Sequence, residues 1–326
     1  MKRSEKIMVR RPLPAEWLRK NISTIMPVVA AIVIIGIFQV INPVFLKYQG
    51  IITLVYAMSY FLIAATGLTF VIMMGSFDFS VVSILKLSAL ICVLYVDRLG
   101  LLVIPLALTV SVGFGFINGI LFAKLKVPSF MATLGVSIVV EGIGLYLSKG
   151  FLHMVTDKTF KALTVTFVAG LPSIFYWAMG ICIICTLIAI ITPFGRRVYA
   201  IGGNPIGAVL SGINLDRYRI YVFMLCSFLA GLAGVLYMSQ LGGGSVELGA
   251  DMSIPLFASV VAGGTALSGG VGGPHKTLLG VIIITWIQAG MLMLGYDRGM
   301  QMVVFGAIAI VMGVATIDRR VIKFVK

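Results

Sequence analysis

One short segment comes close to a motif that binds nucleotide phosphates. Residues 270–277 read GVGGPHKT, whereas a phosphate-binding loop requires the pattern G-x-x-x-x-G-K-[ST]. His275 stands where the second glycine belongs, and Pro274 lacks the N–H that a phosphate cradle would use. The sequence therefore argues against ATP binding by this chain. If ATP drives the protein, a separate subunit must hydrolyse it.

The remaining residues that could support chemistry are too scattered to form a catalytic or metal site. The two histidines, His153 and His275, lie far apart and without paired carboxylates. All four cysteines fall in apolar runs, and redox or metal chemistry would need exposure or further ligands; they are Cys92, Cys182, Cys185 and Cys226. No Ser/His/Asp set is visible. We therefore expect no catalytic residue, metal ligand or cofactor-binding residue in this chain.

Three ionisable side chains fall at or within apolar runs, namely Asp78, Lys86 and Glu141. Charges inside a membrane are costly and usually face the protein interior, so they are functional candidates. They could form a proton relay or a solute site. Alternatively, Lys86 and Glu141 could form a structural ion pair, which is the interpretation that we favour. No chain of Asp, Glu or His crosses several runs, which weakens a proton-driven mechanism.

The composition is that of an integral membrane protein. Of the 326 residues, 60% are hydrophobic and 11% are charged, with a mean hydropathy of +1.10; soluble domains carry about 25% charged residues. The net charge of +14 could indicate nucleic acid. However, basic residues are concentrated before the first apolar run and after the last, as expected for chain ends held on the cytoplasmic side. We expect the lipid bilayer, and no nucleic acid, as a partner.

Apolar runs of spanning length predict an all-α polytopic membrane protein with about ten transmembrane helices. The runs are 24–42, 51–74, 80–96, 101–123, 129–148, 172–192, 218–239, 253–267, 277–294 and 300–317. The third and eighth are short, so either could be broken or re-entrant. Lys and Arg are about three times as numerous on the side that holds both termini as on the other side. This bias predicts that both termini are cytoplasmic.

This topology divides the chain into a basic tail (1–23), a transmembrane domain (24–317) and a second basic tail (318–326). We expect no cleavable signal peptide, because the first tail is too long and the first run resembles a retained helix. The longest polar interval between two runs is 193–217, which is basic and predicted to be cytoplasmic. We interpret it as a docking surface for another protein.

Two polar-rich interruptions, 75–80 and 263–273, lie between apolar runs in the two halves of the chain. Paired interruptions are typical of transporters built from two repeated halves, although two ordinary turns would look similar.

The pair Gly115 and Gly119 has the small-xxx-small spacing of close helix packing, and Asn118 between them can hydrogen-bond across helices. The outer loops 149–171 and 241–252, the latter with Glu247 and Asp251, could receive a partner or simply connect helices.

Four segments resemble the membrane permease subunits of ribose-type ABC importers, which take up simple sugars and autoinducer 2. The first contains GLTFVIMMG at 67–75, followed by Asp78-Phe79-Ser80-Val81 and Ser83. The second runs from Asn118-Gly119 through VPSFMATLG at 127–135. The third contains FGR at 194–196, YAIGGN at 199–204 and LSGI at 210–213. The fourth contains GGT at 263–265, SGG at 268–270 and TLLG at 277–280.

The resemblance implies a ten-helix permease in a bacterial inner membrane, working without covalent chemistry of its own. Its implied partners are a cytoplasmic ABC ATPase that uses ATP and magnesium, a second permease chain, identical or paralogous, and a periplasmic or lipid-anchored sugar-binding protein. A helix over 204–212 would dock into the ATPase, through Asn204, Pro205, Ala208, Ser211 and Gly212. The translocation pathway would involve Asp78, Ser80, Ser83, Asn118, Thr265 and Ser268.

Some residues depart from the pattern of the family that the chain resembles. Alanine is usual at Lys86, a basic residue is common at Glu141, and glycine is usual at Val82 and Lys276; isoleucine is usual at Phe77. One hypothesis is that this chain shares its pathway unequally with a different permease chain. A homodimer that has drifted in sequence is the alternative.

Two other functions are alternatives to a sugar importer of the ABC type. One is a stand-alone secondary transporter or channel, and the other is a branched-chain amino-acid permease.

Overall fold

In the computed structural model, which describes residues 28–29, 31–244, 249 and 252–316, helices form almost all of the regular structure. The two basic tails, Glu247 and Asp251 lie outside the described residues. The helices are α1 (Ala31–Ile41), α2 (Tyr48–Met73), α3 (Val81–Leu99), α4 (Val103–Ala123), α5 (Ser129–Ser148), α6 (Lys158–Val165), α7 (Ser173–Ile191), α8 (Pro193–Gly203), α9 (Pro205–Leu210), α10 (Leu215–Leu241), α11 (Ser253–Ala262), α12 (Pro274–Met293) and α13 (Arg298–Thr316).

Six helical stretches within the described residues are long and apolar enough to cross a membrane. They are α2, α5, α7, α10, α12 and the continuous stretch Val81–Ala123, in which a 3-10 turn at Gly100–Leu102 joins α3 to α4. The protein is therefore a polytopic helical membrane protein. Every predicted run contains a helix, but the count of ten crossings stays a prediction. The eighth run forms only the ten residues of α11, which span about 15 Å.

Helix α10 packs closely against α4 and α3 because glycines remove the side chains between them. A Cβ built on Gly115 would lie 2.6 Å from the carbonyl oxygen of Phe223, and one on Gly119 would lie 2.7 Å from Cα of Ile220. The predicted packing role of Gly115 and Gly119 is thus confirmed. On the other side of α10, a Cβ on Gly234 would overlap the carbonyl oxygen of Leu85 in α3.

The loops that have contacts with one another fall into two groups. In one group, β1 (His153–Met154) pairs antiparallel with β4 (Gly243–Gly244), and Asp97 accepts a hydrogen bond of 3.1 Å from the backbone N–H of Asp157. A hairpin of β2 (Phe167–Val168) and β3 (Leu171–Pro172) leads into α7. In the other group, Nζ of Lys126 lies 3.0 Å from Oδ1 of Asp216.

The contact between α10 and α3 predicts a clear difference between two glycine substitutions. Gly234→Ala should destabilise the protein by about 1–3 kcal/mol, because the added methyl overlaps the backbone of α3. Gly180→Ala is the matched control, since nothing lies within 4 Å of a Cβ at Gly180 in α7; it should be neutral or stabilising by up to about 1 kcal/mol. Thermal unfolding in detergent measures both. Equal melting temperatures would contradict the close contact.

Candidate functional site

The first interruption, between α2 and α3, is organised by a buried carboxylate. Oδ1 of Asp78 accepts hydrogen bonds from the backbone N–H of Ser80 at 2.9 Å and from its hydroxyl at 2.6 Å. Nδ2 of Asn118 in α4 donates to the same Ser80 hydroxyl at 2.7 Å. All three residues have no exposed surface. The predicted ability of Asn118 to bond across helices is confirmed, and the three side chains fix the backbone where α3 begins.

Side chains of α5 and α11 hold the same interruption in place. The hydroxyls of Ser129 and Thr133, in the first turns of α5, accept from the backbone N–H groups of Phe77 and Phe79 at 3.2 and 3.1 Å. The ring of Phe79 packs against that of Phe257 in α11, with 4.7 Å between centroids. Non-helical backbone inside a membrane protein must have its polar groups satisfied by protein, and these hydroxyls do so here.

The second interruption, between α11 and α12, is held by threonine side chains. Oγ1 of Thr265, which is fully buried, accepts from the backbone N–H of Gly273 at 3.3 Å. The hydroxyls of Thr69 in α2 and Thr277 in α12 lie 2.6 Å apart. Ser268, by contrast, is exposed. Of the expected pathway residues, Asp78, Ser80 and Asn118 therefore share one buried cluster, Thr265 supports a separate loop, and Ser268 faces outward.

Both interruptions meet the end of α8 through backbone contacts, in what we call the glycine junction (Met73, Gly75, Gly202, Gly269 and Gly270). The N–H of Gly270 donates to the carbonyl oxygen of Met73 at 2.8 Å. A Cβ on Gly202 would overlap that same oxygen, and one on Gly269 would lie 2.8 Å from the nitrogen of Gly75. Gly75, Gly269 and Gly270 also have positive φ values of 76°, 83° and 74°, which favour glycine.

A tyrosine adds a side-chain bond to the glycine junction. The hydroxyl of Tyr199 in α8 donates to the carbonyl oxygen of Gly272 at 2.7 Å. Burial raises the pKa of Tyr199 above its usual value, so the phenol keeps the proton that it donates. The end of α8 is therefore tied to the second interruption by both backbone and side chain.

The segment 193–217, hereafter the coupling segment, contains α8 and the six-residue helix α9. The side chain of Asn204 accepts from the backbone N–H of Gly207 at 2.9 Å, and Pro205 occupies the first turn of α9, as the capping preferences of these residues predict. Gly212 follows the helix with φ of 78°. The local signals in the sequence thus place this helix correctly.

The side chains that α9 exposes are not the same as those that the sequence led us to expect at a partner contact. Ala208 is only 3% exposed and packs against the chain itself, whereas Ser211 is exposed. The most exposed large side chains are apolar, with Leu210 at 84% and Ile206 at 74%, and Val209 is exposed beside them. Sequence reasoning missed these three residues. Their apolar character in a polar loop was the signal that could have identified them.

The chain is similar to known membrane permeases over most of its length. Residues 50–313 match the family described as "Branched-chain amino acid transport system / permease component". The chain belongs to this permease family. The ribose import permease protein of Haemophilus influenzae is 34% identical over 284 residues, covering 84% of this chain and 87% of that relative. The autoinducer 2 import system permease protein of Photorhabdus laumondii is 31% identical over 281 residues, covering 85% and 84%. No solved structure matches the chain.

The segment of the permease that resembles a phosphate loop is built as an ordinary helix start. Helix α12 begins at Pro274, and the N–H groups of Lys276 and Thr277 both donate to the carbonyl oxygen of Gly273, at 3.0 and 3.1 Å. A phosphate cradle would need such N–H groups to point at a ligand.

Within the described residues, no group of His, Cys, Asp and Glu is arranged to hold a metal ion. The four cysteines are buried, and none of them forms a disulfide.

A polar row joins α3 and α5, and it begins at Ser83, in the first turn of α3 after the first interruption. Nζ of Lys86 lies 3.1 Å from Oε1 of Glu141, so the two residues form an ion pair. The hydroxyl of Ser83 lies 2.5 Å from that of Ser137 and donates to Oε1 of Glu141 at 3.3 Å. We call Ser83, Lys86, Ser137 and Glu141 the polar row.

The glycine junction predicts opposite results for two neighbouring positions of the permease. Gly202→Ala should lower solute uptake at least tenfold and reduce thermal stability, because the methyl would displace α8 from Met73. Gly203→Ala should leave both nearly unchanged, since the nearest atom to a Cβ there is Cα of Gly270 at 4.0 Å. Uptake into vesicles, normalised to the amount of permease in the membrane, measures the difference. Equal uptake by the two variants would contradict the junction.

Proposed function

We propose that this chain is the membrane-spanning permease of an ABC importer and carries a simple sugar or sugar-like solute by alternating access. The match to ribose import permeases over more than four fifths of both chains supports the proposal. The family description mentions branched-chain amino acids. However, relatives that cover more than four fifths of the chain include permeases named for ribose and for autoinducer 2, and we therefore favour a polyhydroxylated solute.

The chain performs no covalent chemistry in this proposal. A separate cytoplasmic ABC subunit binds ATP and magnesium, and a periplasmic or lipid-anchored binding protein delivers the solute from the other side. The permease supplies the passage, in a bacterial inner membrane, together with a second permease chain. ATP and the loaded binding protein each favour one state of the permease pair, so the transport cycle is a shift in the populations of these states.

We assign ten crossings in two pseudo-repeated halves, with both termini in the cytoplasm. The two loop groups support the alternation, because segments assigned to the same side contact one another. The basic residues of the ends and of the coupling segment favour a cytoplasmic position for that group. The domain limits remain 1–23, 24–317 and 318–326, with the coupling segment at 193–217.

Helix α9 docks into the ABC subunit through its apolar side. Ile206, Val209 and Leu210 would enter a groove of the partner, since exposed large apolar side chains at a polar surface mark protein contacts. Asn204 and Pro205 start the helix, and Gly212 ends it. Ala208 supports α9 from beneath, and Ser211 lies at the edge of the contact. Motion of α9 would reach both interruptions through α8 and the glycine junction.

Energy coupling can be tested by the source of energy for uptake. In vesicles that contain the whole complex, ATP depletion should abolish ribose uptake, whereas an ionophore that collapses ion gradients should leave it nearly unchanged. Uptake that stops with the ionophore but survives ATP depletion would favour a secondary transporter and overturn the proposal.

Docking through α9 predicts the effect of a single charge. Leu210→Asp should weaken co-purification of the ABC subunit at least tenfold, because the variant would bury an unpaired carboxylate in an apolar contact. Leu125→Asp is the control, since Leu125 is also an exposed leucine, at 64%, in the loop between α4 and α5. An equal loss for both variants, or no loss for Leu210→Asp, would contradict docking through α9.

The identity of the second permease chain is also measurable. Mass spectrometry of the native complex should find either two copies of this chain or one copy with a paralogue. Two identical copies would overturn the hypothesis of an unequal, two-chain pathway that the departures at Lys86, Glu141 and Lys276 suggested.

A further inference from the structure

Helix α5 carries a charged side chain on a surface that is otherwise apolar. Glu141 is the thirteenth of the 20 residues of α5, and its side chain is 47% exposed. Its exposed neighbours on the helix include Ile138 at 71% and Leu145 at 58%, and nothing lies within 4 Å of a Cβ on Gly142. A half-exposed carboxylate in the middle of a span is costly against lipid tails. Water, a polar solute or the second permease chain therefore accounts for the surroundings of Glu141 better than lipid does.

The partner of Glu141 reaches this face from the protein interior. The side chain of Lys86 is only 11% exposed, and its ammonium group bonds to Oε1 of Glu141, where the hydroxyl of Ser83 also donates. The two bonds thus fall on the same carboxylate oxygen. An ion pair that served only to satisfy buried charges would be enclosed on both sides, but here the carboxylate is half open to the surface.

Small cavities lie on both sides of Lys86. One, of about 10 Å³, is lined by Ser83, Lys86, Val140, Glu141 and Gly144 among others, and another of similar volume is lined by Lys86, Tyr237, Met238 and Gly244 among others. Each has room for about one water molecule. The second cavity leads toward β4, in the group of loops that we assign to the outer side of the membrane. Lys86 therefore lies close both to Glu141 on the exposed face of α5 and to strand β4.

We propose that the polar row is a solute-contacting and specificity-determining site on the translocation pathway, and that it binds neutral polyhydroxylated solutes. A carboxylate accepts hydrogen bonds from hydroxyl groups, and an ammonium group donates to hydroxyl oxygens. The two charges cancel, so the site favours a neutral solute over an ion. The proposal rests on the proposed function, since it names the solute contacts of the same passage.

Cysteine accessibility tests whether this face of α5 meets water. Glu141→Cys, in the whole complex in proteoliposomes, should react with a membrane-impermeant thiol reagent, and excess ribose should slow the reaction at least fivefold. Ile183→Cys is the matched control, because Ile183 on α7 is 54% exposed on an apolar helix; it should stay unlabelled. The four native cysteines are buried and should contribute little background.

Absence of labelling at Glu141→Cys would overturn the proposal, as would labelling that ribose does not slow. Ribose uptake by the unsubstituted complex is measured in parallel. Loss of that uptake counts against the proposed function, whereas the labelling of Glu141→Cys reports on the α5 face in either case.

Transport kinetics separate solute contact from a structural role. Glu141→Gln should raise the KM for ribose about tenfold or more while leaving the melting temperature within a few degrees, because the lost acceptor faces the pathway. The exchange variant Lys86→Glu with Glu141→Lys keeps an ion pair but reverses its direction. If the pair is structural only, the exchange variant should have the KM of the unsubstituted protein. Glu141→Gln should then mainly lower the melting temperature. That combination would refute the assignment.

Discussion

The contact between the end of α8 and the two interruptions is the constraint on which the rest of this permease depends. It is made of backbone atoms: the carbonyl oxygen of Met73 lies against Gly202 and accepts from Gly270. Flexible side chains could absorb a displacement, but glycines in direct contact cannot. Closely packed elements switch between discrete arrangements rather than deform gradually. A movement of the coupling segment must therefore either carry both interruptions along or break the contact altogether.

The buried polar residues of the interruptions make this arrangement possible in a membrane. Asp78, Ser80 and Asn118 hydrogen-bond to one another, and the hydroxyl oxygen of Thr265 accepts from the N–H of Gly273. Within hydrocarbon, every unsatisfied polar group is expensive, so broken helices persist only where protein groups replace the missing hydrogen bonds. These residues consequently maintain the shape of the passage. We therefore propose that direct solute contact occurs on α5, where the carboxylate of Glu141 reaches the exposed surface.

Local signals in the sequence were sufficient for the long helices and for the two ends of α9. Apolar runs of spanning length predicted the long helices, and Asn204, Pro205 and Gly212 predicted α9, because hydrophobicity and capping depend on neighbouring residues only. The outward direction of Leu210 and the burial of Ala208 depend on how α9 rotates against the rest of the chain. The meeting of Gly202 with Gly270 joins residues far apart in sequence, which no local pattern encodes.

Lys86 and Glu141 are also far apart in sequence, but their contact could be predicted, because opposite charges within apolar runs need compensation. Each departs from the residue that the resemblance leads us to expect, and an ion pair between the two was already the favoured prediction from the sequence. The structure joins them in one ion pair, so they are best understood as a single, coupled change. Glu141 alone would place an uncompensated charge in the span, and Lys86 alone would bury one. A pair that is neutral overall but half open to the surface keeps both charges satisfied and still presents hydrogen-bonding groups to a passing solute.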